Sequence, residues 1–151
     1  MSETLNNSCE LCTGEGGEVI WRHPQYRVVL VDEPSFPGFC RVIWNGHVKE
    51  MSDLAANDRT LIANAVWAVE AAMREVMQPE KVNLATLGNM TPHVHWHVIP
   101  RYLDDTHFPS PVWAEARRPA DEAALAQRRG LLPQLREAVN RHLMLAGLQV
   151  G

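Results

Sequence analysis

Residues 91–100 read Thr91-Pro92-His93-Val94-His95-Trp96-His97-Val98-Ile99-Pro100, with histidine at three alternate positions. Side chains two apart on a β-strand share a face. A strand here makes one row of imidazoles from His93, His95 and His97. Val94, Trp96 and Val98 then face the other way, into a core.

The rest of the chain supplies partners for that strand. Residues 19–21, 26–31, 39–44 and 81–87 read as four more strands, and residues 93–101 as the fifth. His23-Pro24-Gln25, the Pro- and Gly-bearing segment 32–38, Asn45-Gly46 and Gly88-Asn89 mark the turns. Leu61, Ile62, Ala65, Val66, Val69, Ala72, Met73, Val76 and Met77 recur at three- and four-residue steps. That spacing predicts a helix over 53–78, its body 57–78 packing on one face of the sheet. Ser52 or Asn57 could cap it and Pro79 ends it. Residues 104–111 form an irregular arm, and two helical segments, 120–129 and 131–146, are divided by Gly130. The expectation is one α+β domain with an antiparallel sheet of about five strands, one long helix and C-terminal helices. Its parts are an N-terminal loop (1–17), a central domain (18–103), and an arm with helices packed on that domain (104–151).

The chain has 151 residues and a formal charge of −4, from 14 basic and 18 acidic residues. That balance gives no electrostatic reason to expect a nucleic acid or an anionic membrane as partner. A phosphate-bearing small molecule needs only a few local donors and stays open. No apolar run is long enough to span a bilayer, and the polar start lacks the layout of a signal peptide. The expected location is cytoplasmic. Three cysteines are present, and in a reducing compartment Cys9-Glu10-Leu11-Cys12 reads as a metal or redox site before a disulfide.

The histidine row admits three readings: a structural cluster, a transition-metal site, or a catalytic row with one nucleophilic imidazole. Imidazole suits phosphorus chemistry because it is nucleophilic when neutral and leaves well once phosphorylated. Cys9 and Cys12, with His47 and one histidine of the row, make up a tetrahedral zinc set. A lone Cys-x-x-Cys can also be redox-active or incidental. Its place in a glycine-followed loop, away from any strand-to-helix junction, argues against redox use. His93 lies nearest the preceding turn and is the histidine best placed to leave the row for a metal.

Pro37-Gly38 before a strand, His47-Val48, Asp53-Leu54, the long helix and His93-Val94-His95-Trp96-His97-Val98-Ile99-Pro100-Arg101 together resemble the histidine-triad (HIT) proteins. The family signature, His-φ-His-φ-His-φ-φ with φ apolar, is matched at every position, and the likeness covers roughly residues 9–101. Within the same superfamily, Gly38-Phe39-Cys40-Arg41-Val42-Ile43, His47 and Gly88-Asn89-Met90-Thr91-Pro92-His93-Val94-His95 are similar to segments of galactose-1-phosphate uridylyltransferase. That branch implies a structural zinc held by Cys9, Cys12, His47 and His93.

The resemblance implies a nucleotide hydrolase or nucleotidyl transferase acting on a purine nucleotide derivative, a dinucleoside polyphosphate or a nucleoside phosphoramidate. His95 would attack the α-phosphorus, giving a covalent nucleotidyl-histidine. His97 would hydrogen-bond phosphate oxygens. A carbonyl near His93 would accept from His95 Nδ1–H. Asp32 would meet the ribose hydroxyls, and Asn83 and Asn89 the phosphates. A homodimer is also implied.

The chain departs from the family at three points. Phe39 stands where many members have a fourth histidine, Met90 stands where a Ser or Thr serves the leaving phosphate, and the loop before the row is short. His97 replaces the glutamine of the galactose enzyme, which favours hydrolysis over hexose uridylyl transfer. Two other classes stay open: a non-catalytic nucleotide-binding or scaffold protein, and a metalloenzyme using all three histidines.

Overall fold

A computed structural model describes residues 5–149. The elements run α1 (Glu10–Thr13), β1 (Glu18–Arg22), β2 (Tyr26–Leu30), β3 (Cys40–Trp44), α2 (Ala56–Met77), β4 (Lys81–Ala85), β5 (His95–Arg101), α3 (Glu122–Arg129) and α4 (Leu132–Gln149). The five strands form one antiparallel sheet in the order β1-β2-β3-β5-β4. This is the α+β architecture the pattern predicts.

Period-two alternation gives the sheet two unlike faces. One carries Tyr26, Val28, Leu30, Cys40, Val42, Trp44, Val82 and Val98, and α2 and α4 cover it with Ile62, Val66, Val69, Met73, Leu135 and Val139. Trp96 lies on this face and is partly buried against the same core. Burying these side chains, at about 1.5–3 kcal/mol each, is the main stabilising term. The opposite face has two smaller apolar patches. Leu11 and Cys9 of the N-terminal segment pack on Val29 and Ile43, and Phe36 and Phe39 pack on Ile99. His95 and His97 lie between them.

The long helix starts at Ala56, three residues after the expected start at residue 53. Met51–Asp53 is a separate 3₁₀ turn closed by a capping box between Glu50 and Asp53. The helix then begins after Ala55 without a side-chain cap, so neither Ser52 nor Asn57 caps it. It ends at Gln78, whose φ of 48° is left-handed, directly before Pro79. Asp121 caps α3 by accepting from the Ala124 amide at 3.1 Å.

The fifth strand begins at His95 instead of residue 93. The His93 amide donates to the Thr91 carbonyl at 2.8 Å, which bends the backbone before the ladder starts. His93 therefore lies outside the strand that orders His95 and His97.

Candidate active site

Pairing of β3 with β5 sets the site. Arg41 lies opposite His97 and Ile43 opposite His95, so the four side chains share the face away from the helices. The His95 and His97 rings meet edge to face, with centroids 5.0 Å apart. His97 is also flanked by Phe39 at 5.6 Å and by Trp113 at 5.0 Å. Both histidines are buried.

His95 Nδ1 lies 2.6 Å from the His93 carbonyl oxygen. A carbonyl only accepts, so Nδ1 carries the proton and Nε2 keeps its lone pair. Burial lowers the pKa of His95, the hydrogen bond to His93 opposes this, and the Arg41 charge lowers it further. The ring is thus a neutral base at pH 7. Burial above all, then His95 and Arg41, brings His97 down to about 4. His97 Nδ1 is buried without a hydrogen-bond partner.

His93 turns away from this pair. Its Nδ1 lies 3.5 Å from both Cys9 Sγ and Cys12 Sγ, while His47 Nδ1 lies 3.3 Å from Cys12 Sγ. All four ligand atoms fall within 4.8 Å of one another. The N-terminal segment, read as loop from sequence, makes one helical turn here. The amides of Cys12 and Thr13 donate to the Cys9 carbonyl at 3.1 Å, which brings the thiols three residues apart onto one side. Arg27 fixes that turn by donating to the carbonyls of Leu11 at 2.8 Å, Gly14 at 3.1 Å and Glu15 at 2.9 Å.

The donor set fits zinc. Bonds of about 2.3 Å to sulfur and about 2.05 Å to nitrogen, at tetrahedral angles, put such ligands about 3.6 Å apart. The sulfur–nitrogen separations of 3.3 and 3.5 Å match that edge. His93 Nε2–H donates to the Trp44 carbonyl at 2.5 Å, which directs Nδ1 at the thiols. Since His93 and His95 direct their Nδ1 atoms at different partners, the three rings do not converge on one ion.

The other expected residues are more dispersed. Asp32 is exposed just beyond β2, and Asn89 is exposed in the loop before His93. Asn83 lies opposite Ile99, on the same face as His97, but its Oδ1 accepts from Arg101 at 2.8 Å. Met90 is 96% exposed, and Thr91 Oγ1 donates to Glu10 at 2.7 Å.

Three features escaped the sequence reading. Arg41 stands in an otherwise apolar strand at the same parity as Phe39 and Ile43, a signal that was legible. Trp113 and the buried Arg101–Asp105 pair, 2.8 Å between Nε and Oδ2, are brought in by an irregular arm that carries no periodic signal.

A sheet covered by helices on one face, with His95 and His97 side by side on the other, is the arrangement of the histidine-triad class. The sequence matches the HIT domain over residues 15–104, and the chain belongs to that family. Its fold resembles a histidine triad protein from Bradyrhizobium japonicum at 24% identity, covering 92% of this chain and 99% of that one, with a TM-score of 0.70. A histidine triad protein from Marinobacter aquaeolei is 24% identical over the same shares, with a TM-score of 0.67. A zinc-bound histidine triad family protein from Mycobacterium smegmatis is 23% identical, covering 87% and 97%, with a TM-score of 0.58. A search of curated proteins found no match. No helix among the described residues is long and apolar enough to cross a membrane.

Proposed function

We propose that the protein is a nucleotide phosphohydrolase or nucleotidyl transferase acting at the α-phosphate of a purine nucleotide derivative, either a dinucleoside polyphosphate or a nucleoside phosphoramidate. The observation that carries this reading is the 2.6 Å contact from His95 Nδ1 to the His93 carbonyl. It favours the tautomer in which Nε2 keeps its lone pair, as a nucleophile requires. Membership in a family with nucleotide hydrolases and transferases supports it.

In the first step Nε2 attacks the α-phosphorus, a nitrogen–phosphorus bond forms, and the bond to the leaving group breaks with its electron pair going to the departing oxygen, or to a departing nitrogen that takes a proton from solvent. The ring then carries a positive charge, spread towards the His93 carbonyl through Nδ1–H. In the second step water, or another acceptor, attacks phosphorus, the nitrogen–phosphorus bond breaks with its electron pair returning to Nε2, and the acceptor's proton passes to solvent. His97 offers an N–H to phosphate oxygens as charge develops. Asp32 meets the ribose and Asn89 a phosphate. Asn83 reaches substrate only by exchanging its bond to Arg101.

Cys9, Cys12, His47 and His93 would hold a zinc ion whose contribution when bound is structural, cross-linking the first helical turn to the end of β3. The reading includes a homodimer, for which Met144 and Leu145, exposed on α4, offer an apolar face.

The test is a turnover screen of diadenosine polyphosphates and adenosine phosphoramidate, beside His95→Ala. Wild-type protein should release the nucleoside monophosphate and give a quench-trapped phosphohistidine adduct, while His95→Ala binds nucleotide without turnover. Undiminished turnover in that variant sinks the mechanism. A second reading rests on Phe39 and exposed Met90, which leave the leaving-group side without its usual histidine and hydroxyl. It is a non-catalytic nucleotide-binding protein, and it predicts binding by the wild type with no adduct.

A further inference from the structure

We propose that Arg41 is a phosphate-binding residue of this site, its guanidinium holding oxygens of the reacting phosphate beside His97. This rests on the reading of His95 and His97 as the reacting pair and adds to it the cation that the pair lacks.

Register is the first support. Arg41 lies directly opposite His97 in the β3–β5 ladder, so both side chains rise from the same face at adjacent positions. The guanidinium lies 6.0 Å from the centre of the Phe39 ring, and Phe39 in turn flanks His97 at 5.6 Å. Phe39 occupies the position where the family resemblance places a fourth histidine. Arg41, two residues on and on the same face, returns a positive charge to that side of the site.

Unused bonding capacity is the second support. Arg41 donates through Nη1 to the Gly16 carbonyl at 3.1 Å, but its Nε is buried without a hydrogen-bond partner. The cross-strand neighbour, His97 Nδ1, is buried without one too. Burying one unsatisfied polar nitrogen is costly, and two on paired residues mark a place built for a hydrogen-bonding ligand. Arg41 forms no ion pair among the described residues.

Electrostatics is the third. The charge of Arg41 acts on His97, disfavouring its protonated form. Glu10 is the acid that acts on Arg41, but its carboxylate accepts from Thr91. A half-buried cation beside the neutral His97 imidazole suits an anion. A planar guanidinium suits the two oxygens of a phosphoryl group better than an ammonium does.

The test compares AMP and adenosine as probes, because they differ only in the phosphate. Full-length wild type, Arg41→Met and Arg41→Lys are titrated with each by calorimetry, and thermal melts and zinc content check the fold. Wild type should favour AMP. Arg41→Met should lose about 10- to 100-fold in AMP affinity while adenosine binding holds, and Arg41→Lys should keep part of the preference. A merely structural role, tethering the Gly16 segment, would move the melt and zinc content but leave the AMP-to-adenosine ratio unchanged. An unchanged ratio in Arg41→Met, or no AMP preference in wild type, overturns the proposal. The same titration in a His95→Ala background separates the two claims. Loss of the ratio there with turnover persisting would remove the mechanism but keep Arg41. A retained ratio with His95-dependent turnover would do the reverse.

Discussion

Asp105→Ala should be among the most damaging single substitutions outside the active site. Asp105 and Arg101 are 4% and 2% exposed. The carboxylate accepts from five nitrogens: Arg101 Nε at 2.8 Å and Nη2 at 3.1 Å, and the amides of Tyr102 at 3.2 Å, His107 at 2.9 Å and Phe108 at 2.7 Å. The guanidinium also donates to Asn83 Oδ1 and the Ser110 carbonyl, and lies 5.6 Å from the Phe36 ring and 5.7 Å from Phe108. Alanine leaves that cation buried without its anion and three amides without an acceptor. Removing one partner of such a pair costs about 3–5 kcal/mol, out of a total of about 5–15 kcal/mol. At about 2–4 °C per kcal/mol, the midpoint should fall by about 6–20 °C.

The assay is calorimetric unfolding across a pH series. Hydrogen bonds from Arg101 and the His107 and Tyr102 amides hold the Asp105 carboxyl below its ordinary value, against the opposing effect of burial. A depressed carboxylate pKa gives stability that is present above about 4 and lost as pH falls through the folded-state value. The gap between wild type and Asp105→Ala should therefore be full at pH 7 and narrow in acid. A loss below about 1 kcal/mol at pH 7, or a gap that widens in acid, refutes the reasoning. The arm joined here also carries Trp113 onto His97, so surviving folded variant should show altered nucleotide binding.

Two other perturbations probe the frame of the site. Cys12→Ser, or chelation of wild-type protein, should remove a zinc present at close to one per chain by mass spectrometry and lower stability by about 4 kcal/mol if free zinc stands near a thousand times its Kd; protein free of zinc after careful preparation would refute the assignment. Gly38→Ala forces a residue with a side chain to φ of 92° and sets its Cβ 3.0 Å from Met77 Cε and 3.3 Å from Pro100 Cγ, so a loss of about 1–3 kcal/mol by chemical denaturation is expected, and an unchanged denaturation midpoint contradicts it.

Much of the fold was legible because two periods run through the chain. Apolar runs bounded by turns marked strands at 26–31 and 39–44, alternation set the faces of 93–98, and the three-to-four spacing of Leu61 to Met77 set the covering helix. Helix and strand ends were less legible. The capping box at Glu50 and Asp53 and the bend at His93 depend on bonds to neighbours that no period encodes.

The site divides the same way. The residue types alone marked the candidates: two thiols three apart, and imidazoles on alternate positions. Their grouping was tertiary. His93 is equivalent to His95 and His97 in the sequence repeat, yet the hydrogen bond from its amide to the Thr91 carbonyl takes it off the strand and turns it to Cys9 and Cys12, more than eighty positions away. Asn83 shows the converse. Its strand position put it on the face of His95 and His97, but Arg101 claims its amide oxygen. Sequence determines which donors exist and, within a regular strand, which face they take, since those follow from local backbone geometry. Only the packed chain decides which donors meet, because a hydrogen bond or metal edge near 3 Å depends on where distant backbone segments come to rest.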